Sequence, residues 1–272
     1  MSNQPSAIEK IHAALDTTVV TRGRVVFIGL GGVGSYVAKT AATFLAGLQR
    51  AMPDKETDIL LVDGDAFSFS NTYRMEVPEF GNKAEAIGQG MLKQFDVPGF
   101  TVRWRPEYVT PENIAEIIQE GDLVFLAVDN HATRKLVSDR CLRCPNIVLI
   151  SGGNDGVDEG LRGTYGNVQV FIQQEGLPLT APLTMFHQEI ENPQDKAPSE
   201  MDCTELAAAG VPQIAMVNMA VASAMCNALM RLMQPVEGER MYDEVCLDIL
   251  EGVQTPQWLS GPQQTGETED DA

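Results

Sequence analysis

Positive charge is what this chain has least of. Its 19 lysines and arginines stand against 38 aspartates and glutamates, a formal net charge of -19 over 272 residues. A nucleic-acid backbone is gripped by clustered Lys and Arg, and an anionic membrane surface by the same groups, so neither is expected as a partner. The five cysteines fall at spacings that make no disulfide framework, and residues 1–16 show no basic start followed by an apolar core. Both features read as a reduced, cytoplasmic chain. Long apolar runs are missing too. The most apolar stretch, 214–230, is interrupted by Asn218, Ser223 and Asn227, and it falls short of a membrane span and reads as a buried helix. There is no internal repeat.

What remains is an ordinary globular composition, 44% hydrophobic and 21% charged, long enough for one large α/β domain. Its most informative stretch is the apolar run Val25-Val26-Phe27-Ile28, which leads straight into Gly29-Leu30-Gly31-Gly32-Val33-Gly34-Ser35 and then a helical pattern, Tyr36 to Leu48. Strand, glycine-rich turn and helix form the first unit of a nucleotide-binding βαβ fold. There, helix N-terminal N–H groups point at a phosphate and glycines let it approach. Gly29, Gly31 and Gly34 also satisfy the dinucleotide spacing, so the turn alone leaves a dehydrogenase and an ATP-using enzyme both open.

Along the chain, a short leading helix is expected over 7–15, strands over 24–28, 59–62, 101–104, 123–128 and 147–150, and helices over 82–95, 111–118 and 132–143. This alternation predicts a Rossmann-like α/β fold, a mostly parallel sheet with helices on both faces. After a glycine-rich stretch the pattern changes. A strand over 167–172, a loop with several prolines, a long helix after Pro212 and a last strand over 245–250 predict a mixed C-terminal extension of the sheet. Residues 1–252 read as a single domain, with a crossover-type loop at 175–204. Residues 253–272 read as a flexible acidic tail.

Sheets of this kind bind ligands beyond the carboxyl ends of their strands, and four polar clusters fall there. One is the glycine turn. Another is Asp63-Gly64-Asp65, whose carboxylates suit ribose hydroxyls. The others are Ser70-Asn71-Thr72-Tyr73-Arg74 with Lys83, and Asp129-Asn130-His131-Ala132-Thr133-Arg134. A dehydrogenase has no need of Arg74 and Lys83 past the ribose carboxylate, whereas a triphosphate needs cations where pyrophosphate leaves. Asp129 would suit magnesium, a hard cation that prefers carboxylate and phosphate oxygens. Each of these residues taken singly is as well explained by a solvated surface charge; their common order and edge favour a site.

Taken together, Gly29-x-Gly31-Gly32-x-Gly34-Ser35, Asp63-x-Asp65, Ser70-Asn71-x-x-Arg74, Lys83 and Asp129-Asn130-x-x-x-Arg134 resemble the ThiF/MoeB family, which includes the nucleotide-binding domain of ubiquitin-activating enzymes. The short length and flanking motifs resemble the ThiF-like members of the PRTRC gene cassette. The resemblance implies an adenylyltransferase. In it, the C-terminal carboxylate of a small ubiquitin-like β-grasp protein attacks the α-phosphate of ATP, and pyrophosphate leaves. It further implies that Gly29, Gly31, Gly32, Gly34, Asp63, Asp65, Asn71 and Asn130 hold the nucleotide, that Arg74 and Lys83 meet the phosphates, that Asp129 binds magnesium, and that the enzyme is a homodimer.

The chain also departs from that pattern. Met75 stands where relatives carry Gln. No basic N-terminal motif is recognisable, although Arg22 and Arg24 precede the first strand. Many relatives hold zinc with two Cys-x-x-Cys pairs; here Cys141 and Cys144 form the only pair, on a helix, and no zinc is expected. Cys203, in Met201-Asp202-Cys203-Thr204 before an apolar helix, matches the thioester cysteine of ubiquitin-activating relatives by position, and a buried cysteine explains it equally. Cys226 and Cys246 lie in core patterns. The competing readings are an NAD(P)-dependent oxidoreductase, which leaves Arg74, Lys83 and Asp129 without a role, and a non-catalytic nucleotide-binding scaffold.

Overall fold

The computed structural model describes residues 7–202, 205 and 212–258. Two short helices, α1 (Ala7–His12) and α2 (Thr18–Thr21), precede the sheet. Strands β1 (Val25–Ile28), β2 (Thr57–Val62), β3 (Phe100–Arg105), β4 (Leu123–Leu126) and β5 (Ile147–Asn154) then alternate with helices α3 (Gly32–Gln49), α4 (Lys83–Gln94), α5 (Ile114–Ile117) and α6 (His131–Cys141). These five strands lie parallel in the order β3-β2-β1-β4-β5. The order reverses direction between β1 and β4, which opens a crevice at their carboxyl ends.

Beyond β5 the sheet turns antiparallel. A small hairpin of β6 (Val157–Asp158) and β7 (Leu161–Arg162) leads to β8 (Tyr165–Gln174), which pairs with β5 over Ile147–Asn154 and carries the short β9 (Leu177–Pro178). The crossover segment holds the helical turn α7 (Gln188–Glu191) and a 3₁₀ turn, Pro198–Glu200, and the chain returns through the long helix α8 (Ala215–Met233) to β10 (Glu244–Asp248) and β11 (Val253–Gln257). Residues 253–257, expected as the start of a flexible tail, form a strand instead. Alternate residues of 253–257 meet β10 in antiparallel register, Val253 opposite Asp248 and Gln257 opposite Glu244. A strand of Thr, Gln, Val and Pro at a sheet edge carries too little apolar pattern to be read from sequence.

Because side chains alternate across a strand, the sheet divides the core. Val25, Phe27, Ile59, Leu61, Leu123 and Phe125 face α3, α4 and α8. Val26, Ile28, Leu60, Val62, Val124 and Leu126 face α5 and α6. The rings of Phe27 and Phe125 stack at 4.9 Å between neighbouring strands. Of the expected helix 111–118 only one turn forms, since Asn113 spends its side chain on Thr110 N and Tyr108 O in a turn. By length and composition α8 does pass as long and apolar enough to cross a bilayer, despite its asparagines. Here half of it is buried, with Val217, Val221, Met225, Ala228 and Leu229 packed into the core against α3 and β5.

Candidate active site

The glycine turn is built by one backbone torsion and one close approach. Gly29 leaves β1 at φ +82°, in the left-handed region that favours glycine. A Cβ on Gly34 would lie 1.8 Å from the Gly29 carbonyl oxygen, so only glycine lets the helix pack on the strand end. The helix begins inside the motif, at Gly32 rather than at Tyr36, with Gly31 as its N-cap. A Cβ on Gly31 would meet nothing within 4 Å, so its face is open to a ligand. The first-turn N–H groups of α3 lack intrahelical partners and face that space. Gly34, expected against the nucleotide, is packed on Gly29 rather than among the residues that line the cleft.

Asp63, at the end of β2, accepts the Leu30 N–H at 2.6 Å with one carboxylate oxygen and the Asp65 N–H at 2.8 Å with the other. It is buried, and burial pushes its carboxyl up against the pull of Lys83 and the two amides. It thus ties the glycine turn to β2. Asp65 sits half exposed and accepts Lys83 Nζ at 2.7 Å and the Tyr108 hydroxyl at 2.5 Å. Burial opposes its ionisation, but Lys83, the Tyr108 hydroxyl and Arg74 outweigh it and hold its carboxyl below the ordinary range. Lys83 opens α4 and is buried. Burial disfavours its charge, yet Asp63, Asp65 and Asp129 together raise its pKa.

Asn82, which the sequence did not single out, fixes that corner. Its carbonyl oxygen caps α4 through Glu85 N, and its amide donates to the carbonyls of Asp63 and Asp65. Asn71 is buried and accepts from Ser68 N and Oγ, shaping a 3₁₀ turn, Phe69–Tyr73, that delivers Arg74. Arg74 reaches Gln213 Oε1 at 3.5 Å, and its buried Nε has no partner. Met75, in the place of the relatives' Gln, is core.

At the end of β4 Asp129 is exposed and makes no hydrogen bond among the described residues, though its charge reaches Lys83, Tyr108 and Arg134. Asn130 lines the cleft, but its Oδ1 accepts Thr133 N at 2.8 Å as the cap of α6. Asn71 therefore uses both lone pairs of its carbonyl oxygen on the protein and leaves only amide protons for a nucleotide, whereas Asn130 keeps one lone pair beside its amide protons. Arg134 is buried and donates to Val128 O and Gly152 O, bracing β4 to β5. Asp195, from the crossover segment, accepts the His131 and Ala132 N–H groups at the start of α6. His187 also lies on the cleft, between Glu189 at 2.8 Å and Glu244 at 3.1 Å, and Glu244 leads the causes that raise its pKa.

One cleft of about 980 Å³ gathers Gly29, Gly31, Gly32, Asp63, Asp65, Asn71, Arg74, Lys83, Asp129 and Asn130. Tyr108 and His187 join it from loops with no motif around them. Arg24 lies elsewhere, in a buried pair with Asp122 at the far ends of β1 and β4. Cys141 and Cys144 are buried in the α6 face of the core, where burial raises both thiols. Cys226 and Cys246 are half-buried. Cys203 lies outside the described residues.

Three comparisons bear on this arrangement. Uba4 of Neosartorya fischeri, an adenylyltransferase and sulfurtransferase, is 30% identical over 116 residues, 43% of this chain and 20% of its own length. The same protein of Aspergillus niger is 32% identical over 120 residues, covering 43% of this chain and 22% of that protein. The matched part thus spans about a fifth of these relatives. E. coli MccB with ATP superposes at a TM-score of 0.61 and 17% identity, over 92% of this chain and 64% of that one. MccB with MccA-N7isoASN reaches 0.63 over 92% and 65%, also at 17% identity. At that identity the likeness speaks for the fold. The profile of the ThiF family matches residues 7–247, which takes in every strand of the sheet but the last and all of the cleft, and the chain belongs to that family.

Proposed function

We propose that this chain is an adenylyltransferase that activates the C-terminal carboxylate of a small ubiquitin-like β-grasp protein with MgATP. The observation that carries this reading is the meeting, at the switch point of the sheet, of an open helix N-terminus, two cations and one uncommitted carboxylate. The α3 amides and Gly31 take the phosphates, with Arg74 Nε and Lys83 Nζ flanking them. Asp63 keeps lone pairs for a ribose hydroxyl beyond the two N–H groups it accepts.

The donor set fits magnesium. Asp63, Asp65 and Asp129 share the cleft with Lys83, Arg74 and Arg134, and Asp129 forms no ion pair among the described residues, so a bare triphosphate meets like charge there. Asp129 offers hard oxygens without an internal partner, and among the described residues no cluster of three ligands would hold a metal by itself. That is the pattern of an ion held by one or two carboxylates plus substrate phosphates. When bound, it supplies neutralisation of triphosphate charge.

The attacking carboxylate is already deprotonated at neutral pH, so the chain needs no general base. Its oxygen forms a bond to the α-phosphorus as the bond to the bridging oxygen breaks, and the electron pair leaves with pyrophosphate. Arg74 and Lys83 stabilise the charge that develops there, and the fold supplies orientation. The outer half of the cleft, walled by Asn154, Asp155, Tyr165, Asn167 and His187, has room for the substrate's chain end. A homodimer, and onward transfer through Cys203, belong to the same proposal.

Thermal unfolding tests it. MgATP at a hundred times its dissociation constant adds roughly 2.7 kcal/mol, and this gain is expected with MgATP and not with NAD or NADP. Stabilisation by a nicotinamide cofactor instead would overturn the proposal. Adenylation is then read as pyrophosphate exchange into ATP that depends on a β-grasp protein.

A further inference from the structure

Tyr108 follows β3 in a loop pinned by Asn113, whose amide donates to the Tyr108 carbonyl at 2.8 Å. Its ring lies on the backbone of Gly64, where an added Cβ would come within 2.6 Å of the ring carbons. The hydroxyl is thereby aimed at Asp65 and donates to Oδ1 at 2.5 Å. The other oxygen of the same carboxylate receives Lys83 Nζ at 2.7 Å. Asp65 is thus shared between a phenol and an ammonium.

Each N–H that Lys83 keeps on Asp65 is one fewer for phosphate oxygens. A buried ammonium among Asp63, Asp65 and Asp129 moves toward an incoming triphosphate only if the carboxylate it leaves stays satisfied. We infer that Tyr108 is a positioning residue for triphosphate binding: its hydroxyl keeps Asp65 satisfied and so releases Lys83 to the phosphates. The inference rests on the reading of Lys83 as a phosphate ligand. Burial, the bond to Asp65 and the charges of Asp65, Asp63 and Asp129 push the phenol far above its ordinary range, so it remains a donor at any working pH.

The sharing of Asp65 makes the effect selective for the phosphate chain. Tyr108→Phe keeps the ring on Gly64 and removes only the donor. Asp65 then holds Lys83 more tightly, and each step that takes Lys83 away costs more. A hydrogen bond to a half-exposed carboxylate sets the size of the loss in MgATP affinity at roughly threefold to tenfold. Adenosine makes no demand on Lys83, and its affinity is expected to stay within about twofold by the same argument. In an Asp65→Asn background the carboxylate no longer competes for Lys83, so adding Tyr108→Phe has no further effect.

Titration calorimetry with MgATP and with adenosine, on wild type, Tyr108→Phe, Asp65→Asn and the double variant, decides the matter. A loss confined to MgATP and absent in the Asp65→Asn background supports the inference. An undiminished MgATP affinity in Tyr108→Phe overturns it, as does an equal loss for adenosine, which would place the hydroxyl's effect on the nucleoside rather than on Lys83. A wild-type chain that binds adenosine but not MgATP overturns the phosphate reading of Lys83 as well.

Discussion

Alanine at Gly153 would place its Cβ 2.0 Å from Nη2 of Arg134 and 3.0 Å from Cζ, distances no real pair of atoms adopts. The guanidinium is buried and makes bonds of 3.0 Å to Val128 O and 3.2 Å to Gly152 O. It is the tie between the carboxyl ends of β4 and β5. The backbone of β5 is held by pairing with β8 through Gly153 and with β4 as far as Ser151, so the side chain is the part that moves. Gly153→Ala therefore weakens two charge-assisted hydrogen bonds at about 1.5–3 kcal/mol each, partly offset where the group finds water, for a net loss of about 2–4 kcal/mol. In a chain of this size a loss of 3 kcal/mol lowers the melting temperature by roughly 6–12 °C. The assay is denaturant unfolding of Gly153→Ala beside Gly31→Ala, where a Cβ meets nothing and the midpoint should hold. Because the clash is with one group, Gly153→Ala made in an Arg134→Met background should cost less than it does alone. Equal cost in both backgrounds would refute the reasoning, as would an unchanged midpoint in the single variant.

Three further outcomes follow from the cleft. Arg74→Ala removes a cation at the leaving group and is expected to lower β-grasp-dependent pyrophosphate exchange by roughly a hundredfold to a thousandfold, with an unchanged circular dichroism spectrum. Asp129→Asn touches a side chain with no internal partner, so the unfolding midpoint should shift by less than about 0.5 kcal/mol; the magnesium concentration needed for half-maximal exchange should rise. The His187 pKa is raised by Glu244 and Glu189, so its stabilisation is fully present below the unfolded value, near pH 6.5, and is lost as pH climbs through the folded value. Wild type should thus exceed His187→Gln in unfolding midpoint most at the acid end of that window, and a constant difference from pH 6 to pH 9 would count against the bridge.

The parts of the fold legible in the sequence were those where local pattern and tertiary role coincide. Four apolar strands and the glycine turn announce themselves because burial on both faces and a left-handed torsion each restrict residue type. Asp63, Lys83 and Asp129 were legible as members of an ordered set, but what each does locally was not. Asn130 caps α6 through Thr133, three residues on, whereas Asp63 staples Leu30, a contact set by the approach of β1 and β2 rather than by neighbours in sequence. Tyr108 and His187 were illegible for the same reason. A tyrosine in a loop after an edge strand has no periodicity, and His187 acquires Glu244 as partner only because β8 and the crossover segment fold back beside β10. Asn82 did leave a signal, an Asn three residues before Glu85 at a helix start, which is a cap pattern that also marks the corner of a site.

These contacts have a common electrostatic sense. Of the cations on the cleft, Lys83 is held by Asp65 and Arg134 by backbone carbonyls, Arg74 has only a 3.5 Å contact to Gln213, and Asp129 is left without a partner among the described residues. A surface arranged to bind an anion by simple attraction would show the reverse, with free cations and paired acids. The cleft instead keeps Lys83 on a protein partner that has to be exchanged, and it leaves a carboxylate to meet a positive ion. On the proposed reading, a ligand that brings no phosphate chain leaves Lys83 on Asp65, and a triphosphate that brings no metal meets Asp129 uncompensated. This makes the acidity of the chain a constraint on the form of its substrate, one that a residue-by-residue count of positive charge would miss.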